Sequence, residues 1–250
     1  MPKNKNDRLY AAKVIRKRDG KNPDWLEQEY SALLKYMKIC RAHDELLHIR
    51  SVHINDEEGW LCYVMELADE ILSDVLVAAK AKARGLPWEG CLEVGLGLTA
   101  CLECLHQHGL IHRDVKPANI GSFKGRWKLL DIGLVTSMGS NAGWAGTAPY
   151  MTKNGWGKPS AECVALARVL YELLTGWELD RFPRLPLEIK EKAEKSPAIL
   201  KLHRIIKKAC HKQASKRFES ARAMHQALLE VQKDDARPEN LTTHTLPISS

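Results

Sequence analysis

The chain of 250 residues is 44% hydrophobic and 28% charged, the balance of a soluble globular protein with length enough to bury one core or two lobes. No apolar run reaches the length of a membrane-spanning helix and Met1 to Asp7 carries no apolar signal core, so a helical membrane span is excluded and a cytoplasmic location is expected. The net charge of +7 comes from lysines spread throughout, without an aromatic-rich basic motif; this fits a solvated surface suited to nucleotides and acidic partners rather than a specific nucleic-acid patch.

The seven cysteines are odd in number and scattered, as reduced thiols are. Cys101-Leu102-Glu103-Cys104 has the spacing of half a zinc site, but no second such pair follows and the segment is helical in pattern. Both cysteines are therefore expected to be buried packing residues.

Leu9 to Ile15 predicts a strand in which Ala11 and Lys13 share a face. A small residue beside a lysine suits a nucleotide, with the alanine against the base and the lysine reaching the phosphates. Asn22-Pro23-Asp24 is a helix start, a cap residue followed by proline at the first helical position. Leu26, Tyr30, Leu33, Leu34 and Met37 then recur at helical spacing. Glu27 and Glu29 both flank this apolar stripe, and periodicity does not choose between them. Ser51 to Ile54 and Trp60 to Met65 flank the turn-forming Asn55-Asp56-Glu57-Glu58-Gly59, which predicts a hairpin. Leu98, Cys101, Leu102 and Leu105 form one helical face, with Gly109 placed to end that helix.

His112-Arg113-Asp114-Val115-Lys116-Pro117-Ala118-Asn119 then packs an acid, a base and an amide into one loop. Ile120 to Phe123, the turn Lys124-Gly125, and Trp127 to Leu130 predict two short strands that return on themselves. Asp131 follows them. Such a hairpin brings its ends together, so Asp114, Asn119 and Asp131 should converge. Asn119 and Asp131 offer the hard oxygen ligands that Mg²⁺ prefers. Asp114 is left to accept a substrate proton, and Lys116 to neutralise a phosphoryl group in transfer.

His-Arg-Asp-Val-Lys-Pro-x-Asn followed by Asp131-Ile132-Gly133 resembles the catalytic and metal loops of the protein kinase superfamily. The resemblance implies an α+β, bilobal protein-kinase-like fold with a reduced β-rich N-lobe over residues 1–67. A mainly helical C-lobe over 68–232 and a polar tail over 233–250 complete it. It makes Lys13 the phosphate lysine of the family's Val-Ala-Ile-Lys strand and favours Glu29 as its helical partner. It makes Met65 the gatekeeper, with the backbones of Glu66 and Ala68 binding the adenine edge. His112 is expected to pack beneath the loop, while Arg113 is either a solvated cation or a docking point for a phosphorylated loop residue.

Leu134 to Met151 is similar to an activation segment, with Gly146-Thr147 and Tyr150-Met151 at its end. Thr147 should hydrogen-bond toward Asp114 and Lys116, the arrangement of serine/threonine kinases. Thr136, Ser137 and Ser140 are candidate phosphorylation sites. Ala161 to Leu174, apolar on nearly every side and followed by Gly176, predicts a buried helix with Glu162 where the family usually has aspartate. Leu202, Ile205, Ile206 and Ala209 form a further amphipathic face, and Ser220 caps a last helix.

Four departures stand against this pattern. Twelve residues precede Lys13 and none is a glycine, so the glycine-rich cover over the phosphates is expected to be missing by truncation or divergence. Thr152-Lys153-Asn154 replaces Ala-Pro-Glu, which is expected to leave Arg217 without its glutamate. Ile132 stands for phenylalanine, and Gly121 for the leucine that packs under adenine. The function expected is an ATP- and Mg²⁺-dependent serine/threonine kinase acting on protein hydroxyls, weak in this chain. A nucleotide-binding pseudokinase module is the alternative, and a small-molecule phosphotransferase a further one.

Overall fold

A computed structural model describes residues 9–16, 25–132, 135–138, 146–152 and 157–235. The N-terminal part is a three-stranded antiparallel sheet of order β1-β3-β2, built from Tyr10–Arg16, Trp60–Glu66 and Ile49–Asn55. In β1 every second residue is shielded: Ala11, Lys13 and Ile15 are half-buried, and the residues between them are exposed. This is the alternation expected of a strand with one covered face. Across the ladder Ala11 faces Met65 and Lys13 faces Tyr63. Helix α1, Trp25–Cys40, packs against β2 and buries Leu26, Leu33, Tyr36 and Cys40 along one stripe. Its cap residues Asn22, Pro23 and Asp24 lie outside the described residues. The β2–β3 turn is closed by the Glu58 amide donating to Asn55 Oδ1 at 3.0 Å and by Gly59 at φ +66°.

The remainder is mainly helical. The short strand β4 (Glu70–Ile71) leads into α2 (Leu72–Ala81) and then α3 (Trp88–Gln107). Helix α3 lies centrally, packed against α4 (Pro159–Thr175) on one side and α7 (Ala221–Asp235) on another. Leu98, Leu102 and Leu105 are all at or near zero exposure. Each contributes about 1.5–3 kcal/mol of hydrophobic stabilisation relative to an exposed position. Cys101 and Cys104 are buried as expected. Helix α4 is buried from Cys163 to Ala167 and from Val169 to Thr175. The amphipathic face of α6 (Pro197–Ala209) is buried at Leu202, Ile205, Ile206 and Ala209, and the Ala223 amide at the start of α7 donates to Ser220 Oγ at 3.2 Å. Helix α5, Leu187–Lys195, is a polar helix that the hydrophobic pattern does not announce; it buries Ala193. Among the described residues no helix is long and apolar enough to cross a membrane.

Two small ladders carry the functional loops. Strand β5 (Leu110–Ile111) pairs with β8 (Thr136–Ser137), and β6 (Ile120–Phe123) pairs with both β4 and β7 (Arg126–Leu129). Lys124 and Gly125 both take positive φ, at +52° and +78°, the turn geometry that matches the twist of a tight hairpin. The Leu130 amide accordingly donates to the Asn119 carbonyl at 2.8 Å, so the two ends of the hairpin meet.

Helix α4 stops at Gly176, which is left-handed at φ +68° with its amide on the Glu172 carbonyl at 2.8 Å. A Cβ at Gly176 would lie 2.6 Å from the Arg84 carbonyl oxygen, because the segment before α3 crosses this helix end closely. Gly176→Ala should therefore lower stability by at least about 1–2 kcal/mol, the cost of a left-handed non-glycine residue. A urea midpoint equal to that of the unsubstituted chain would show that neither the turn nor the close approach constrains this position.

Candidate functional site

The acid loop is held from beneath. Glu162, near the start of α4, is 5% exposed. Its Oε1 accepts the amides of His112 at 2.7 Å and Arg113 at 2.5 Å, and its Oε2 lies 2.8 Å from His106 Nε2. The glutamate thus does from one carbon further what a shorter acid would do. Charge-assisted bonds of this kind are worth roughly 1.5–3 kcal/mol each, enough to hold Arg113 in a left-handed conformation at φ +76°. His112 is fully buried, as expected. Its Nδ1 accepts the Asp114 amide at 3.4 Å and its Nε2 donates to the Leu130 carbonyl at 2.7 Å, tying the loop to the end of the β6–β7 hairpin.

Asp114 is 8% exposed and bonded on both oxygens. Oδ1 accepts from Thr147 Oγ1 at 2.7 Å; Oδ2 accepts from Asn119 Nδ2 and Lys116 Nζ, each at 2.8 Å. Lys116 Nζ also donates to Thr147 Oγ1 at 2.8 Å. Burial pushes the Asp114 carboxyl up, but the bonds from Lys116, Thr147 and Asn119 and the lysine charge outweigh it and hold it below the ordinary carboxylate range. The threonine bond expected from the sequence is therefore present.

Asn119 spends its Nδ2 hydrogens on the Asp114 carbonyl, at 3.0 Å, and on the Asp114 carboxylate. A cation would meet its Oδ1. Asp131, at φ +46°, directs its carboxylate to the N-terminal sheet, where it forms an ion pair with Lys13. An amide oxygen and a carboxylate at neighbouring hairpin ends form a donor set that fits Mg²⁺, which takes few protein oxygens and keeps places for phosphate and water.

The residues expected around a nucleotide are arranged as follows. Ala11 and Met65 are opposite each other and half-buried. Glu29 is half-buried on α1 while Glu27 is exposed. The Glu29 charge acts on the buried Tyr63 hydroxyl and on the Arg113 guanidinium. Burial lowers the Arg113 pKa, while Glu29 and Glu162 oppose that shift. The Glu66 side chain is turned to Lys128 Nζ at 2.7 Å and the His48 amide at 3.0 Å, and its own amide donates to the His48 carbonyl at 3.2 Å. Its backbone carbonyl is what it can offer a ligand. Gly121 has a packing reason: a Cβ there would lie 2.9 Å from Ala68 Cβ and 3.1 Å from Leu130 Cδ1. Leu130 fills the space that a leucine at 121 would need.

Arg217 is not left without partners by the loss of a glutamate: its Nε donates to the His211 carbonyl at 2.7 Å, and one terminal nitrogen approaches Thr152 Oγ1 at 3.4 Å. The end of the activation-segment-like stretch is held instead by α4. Arg168 donates to the carbonyls of Pro149 at 3.0 Å and Met151 at 2.5 Å, and Tyr150 donates to Glu172 at 2.5 Å. Glu172 also lies 3.5 Å from Lys80. Burial raises its pKa above the ordinary range, although Tyr150 and Lys80 pull the other way. Sequence reasoning missed this cluster, and the one available signal was an acid inside the apolar run Val169 to Leu174. Beside Asp114 a concavity is lined by Val115, Thr147, Tyr150, Met151, Thr152 and Ala161. Gly133, Ser140, Lys153 and Asn154 lie outside the described residues.

Residues 1–238 match the family model described as "Protein kinase domain". Among curated relatives, the probable serine/threonine-protein kinase CPE1738 of Clostridium perfringens is 31% identical over 147 residues, 54% of this chain and 20% of its own length. The probable serine/threonine-protein kinase PknB of Lactococcus lactis is 26% identical over 211 residues, 79% of this chain and 32% of its own. The serine/threonine-protein kinase mph1 of Schizosaccharomyces pombe is 28% identical over 142 residues, 54% of this chain and 20% of its own. The chain thus spans between a fifth and a third of the length of these relatives.

The depressed Asp114 pKa has a stability consequence. The stabilisation it brings is in place above the unfolded carboxylate pKa of about 3.9 and drains away as the pH falls through the lower folded value. Thr147→Val removes one of the bonds responsible, so carboxyl NMR should show the Asp114 midpoint moving up. A midpoint that stays or falls would mean that Thr147 does not hold the ionised acid.

Proposed function

The chain belongs to the protein kinase family, and from that premise we propose that it transfers the γ-phosphoryl group of Mg-ATP to a serine or threonine hydroxyl of a protein. The observation that carries this reading is the Asp114–Thr147–Lys116 network, in which a buried, ionised acid shares its partners with a lysine. Such a site holds a proton acceptor and a phosphate-neutralising charge about one hydrogen bond apart.

In this reading the acceptor hydroxyl rests against Asp114 in the concavity beside it. As the hydroxyl oxygen bonds to the γ-phosphorus and the bond to the ADP oxygen breaks, Asp114 takes up the proton. Lys116 lies against the transferring phosphoryl oxygens. Lys13 binds the α- and β-phosphates, with Glu29 as the acid on α1 that aims it. Ala11, Met65 and the backbones of Glu66 and Ala68 surround the adenine. Asn119 and Asp131 would hold Mg²⁺, which supplies charge neutralisation when bound. Because positioning and electrostatics carry most of phosphoryl transfer, these residues suffice in kind. We place the change from N-lobe to C-lobe between residues 67 and 68.

Lys116 and Thr147 favour a protein acceptor over a small molecule, because both belong to the surface that meets a peptide hydroxyl. A second reading, a nucleotide-binding module without turnover, is favoured by one contact: the Lys13 ammonium sits directly on Asp131, in the space that phosphates and metal would need to enter.

Steady-state ADP release with a serine/threonine peptide mixture decides the matter. Wild type should turn over, and Asp114→Asn should lose about 10²–10⁴-fold, the usual worth of a positioned base. Equal rates in the two proteins would remove Asp114 from the chemistry. A nucleotide-dependent rise in melting temperature with no turnover in wild type would select the second reading.

A further inference from the structure

Away from the acid loop, the chain between α1 and β2 docks on the C-terminal end of α3. Leu46 and Leu47 are buried there, and the Cys101 thiol donates to the Glu45 carbonyl at 2.6 Å. At this junction a ring nitrogen of His43, a ring nitrogen of His108 and Cys104 Sγ all lie within 4.8 Å of one another. The two imidazoles meet edge to face at 5.1 Å between centroids. The Glu45 carboxylate lies 3.3 Å from His43 Nδ1, and its charge acts on the Cys104 thiol. We propose that His43, Cys104 and His108, with Glu45 beside them, form a zinc-binding site that ties the α1–β2 segment to the end of α3.

The chemistry of the group supports this. One thiolate and two imidazoles are the ligand types that Zn²⁺ favours, and a carboxylate completes a tetrahedral set. His108 Nδ1 is 2.9 Å from the Cys104 carbonyl. That contact fixes the tautomer with the proton on Nδ1 and leaves Nε2 as a ligand, as metal-bound imidazoles usually are. Bond lengths of about 2.0–2.3 Å to the metal put tetrahedral donors roughly 3.5 Å apart, so closing from 4.8 Å asks for a small movement. Two of the three side chains have room to make it: His108 is exposed and His43 about one-third exposed, while Cys104 is buried and fixed on α3.

Without metal the Cys104 thiol is pushed up to about 12 by burial and by the neighbouring Glu45 charge. It is therefore protonated at neutral pH and must release its proton on binding. A cation at this point reverses the local logic, because it stabilises the thiolate and neutralises the carboxylate together. Cys104 is one half of the Cys-x-x-Cys spacing in the sequence, but its partners are two histidines brought up by the fold and not Cys101. The consequence is mechanical. The linked segment follows α1, which carries Glu29, and α3 runs through Gly109 and β5 into the acid loop.

Titration of the purified, metal-free chain with Zn²⁺, and with Co²⁺ as a spectroscopic probe, tests the site without any reference to phosphoryl transfer. One equivalent should bind, raise the melting temperature and, with Co²⁺, give a thiolate-to-metal charge-transfer band with intense tetrahedral visible bands. Cys104→Ser should abolish the charge-transfer band. Glu45→Gln should weaken Zn²⁺ binding about 10–100-fold. His108→Ala alters an exposed side chain, so its fold is retained by circular dichroism while the affinity falls by a similar factor or more. Survival of the band in Cys104→Ser, or equal Zn²⁺ affinity in wild type and a folded His108→Ala, would overturn the proposal.

Discussion

The ion pair between Lys13 and Asp131 is the contact on which the site depends. The two residues are 118 positions apart in the chain. One lies on the covered face of the N-terminal sheet; the other follows the β6–β7 hairpin. Each is about one-third exposed, so the pair is partly solvated and its net worth to stability is small compared with the burial around it. Its importance is geometric: it brings an amine of the N-terminal sheet into direct contact with the carboxylate that follows the β6–β7 hairpin, and in the proposed reading phosphates and a hard cation would replace that contact.

The acid loop works under the opposite condition. Asp114 is almost wholly withdrawn from water, where an unpartnered carboxylate would be protonated. It stays ionised because lysine, threonine and asparagine donors converge on it. The same loop contains a left-handed arginine, and α4 supplies the acid whose two short bonds keep that conformation in place. Helix α4 therefore has two roles. Its apolar residues form the core, and its three charged residues, Glu162, Arg168 and Glu172, fasten the acid loop and the stretch ending at Met151.

Local pattern made the hairpins legible before any coordinates. A turn with two residues suited to positive φ forces the strands on either side to pair, so the meeting of Asn119 with the segment before Asp131 follows from a dozen residues. The covered face of β1 follows from alternation in the same way. Periodicity could not say which of Glu27 and Glu29 faces inward, because both sit at the margin of the stripe and the deciding surface belongs to another part of the chain. Nor could it show the work of Glu162 and Glu172, whose partners lie between 22 and 92 residues away. The exchange of a leucine at 121 for Leu130 was equally invisible, since a packing site is filled in space and the sequence records only positions. Helix α5 escaped notice because it buries little and so leaves no apolar rhythm.

Binding of ATP with and without Mg²⁺, followed by calorimetry, tests the facing arrangement most directly. In wild type Mg²⁺ should tighten ATP binding. Lys13→Met should weaken binding whether or not Mg²⁺ is present, and Asp131→Asn should abolish the Mg²⁺ effect while leaving metal-free ATP binding at least as strong. An Asp131→Asn chain that keeps the full Mg²⁺ dependence would contradict the proposed placement of nucleotide and metal between these two residues.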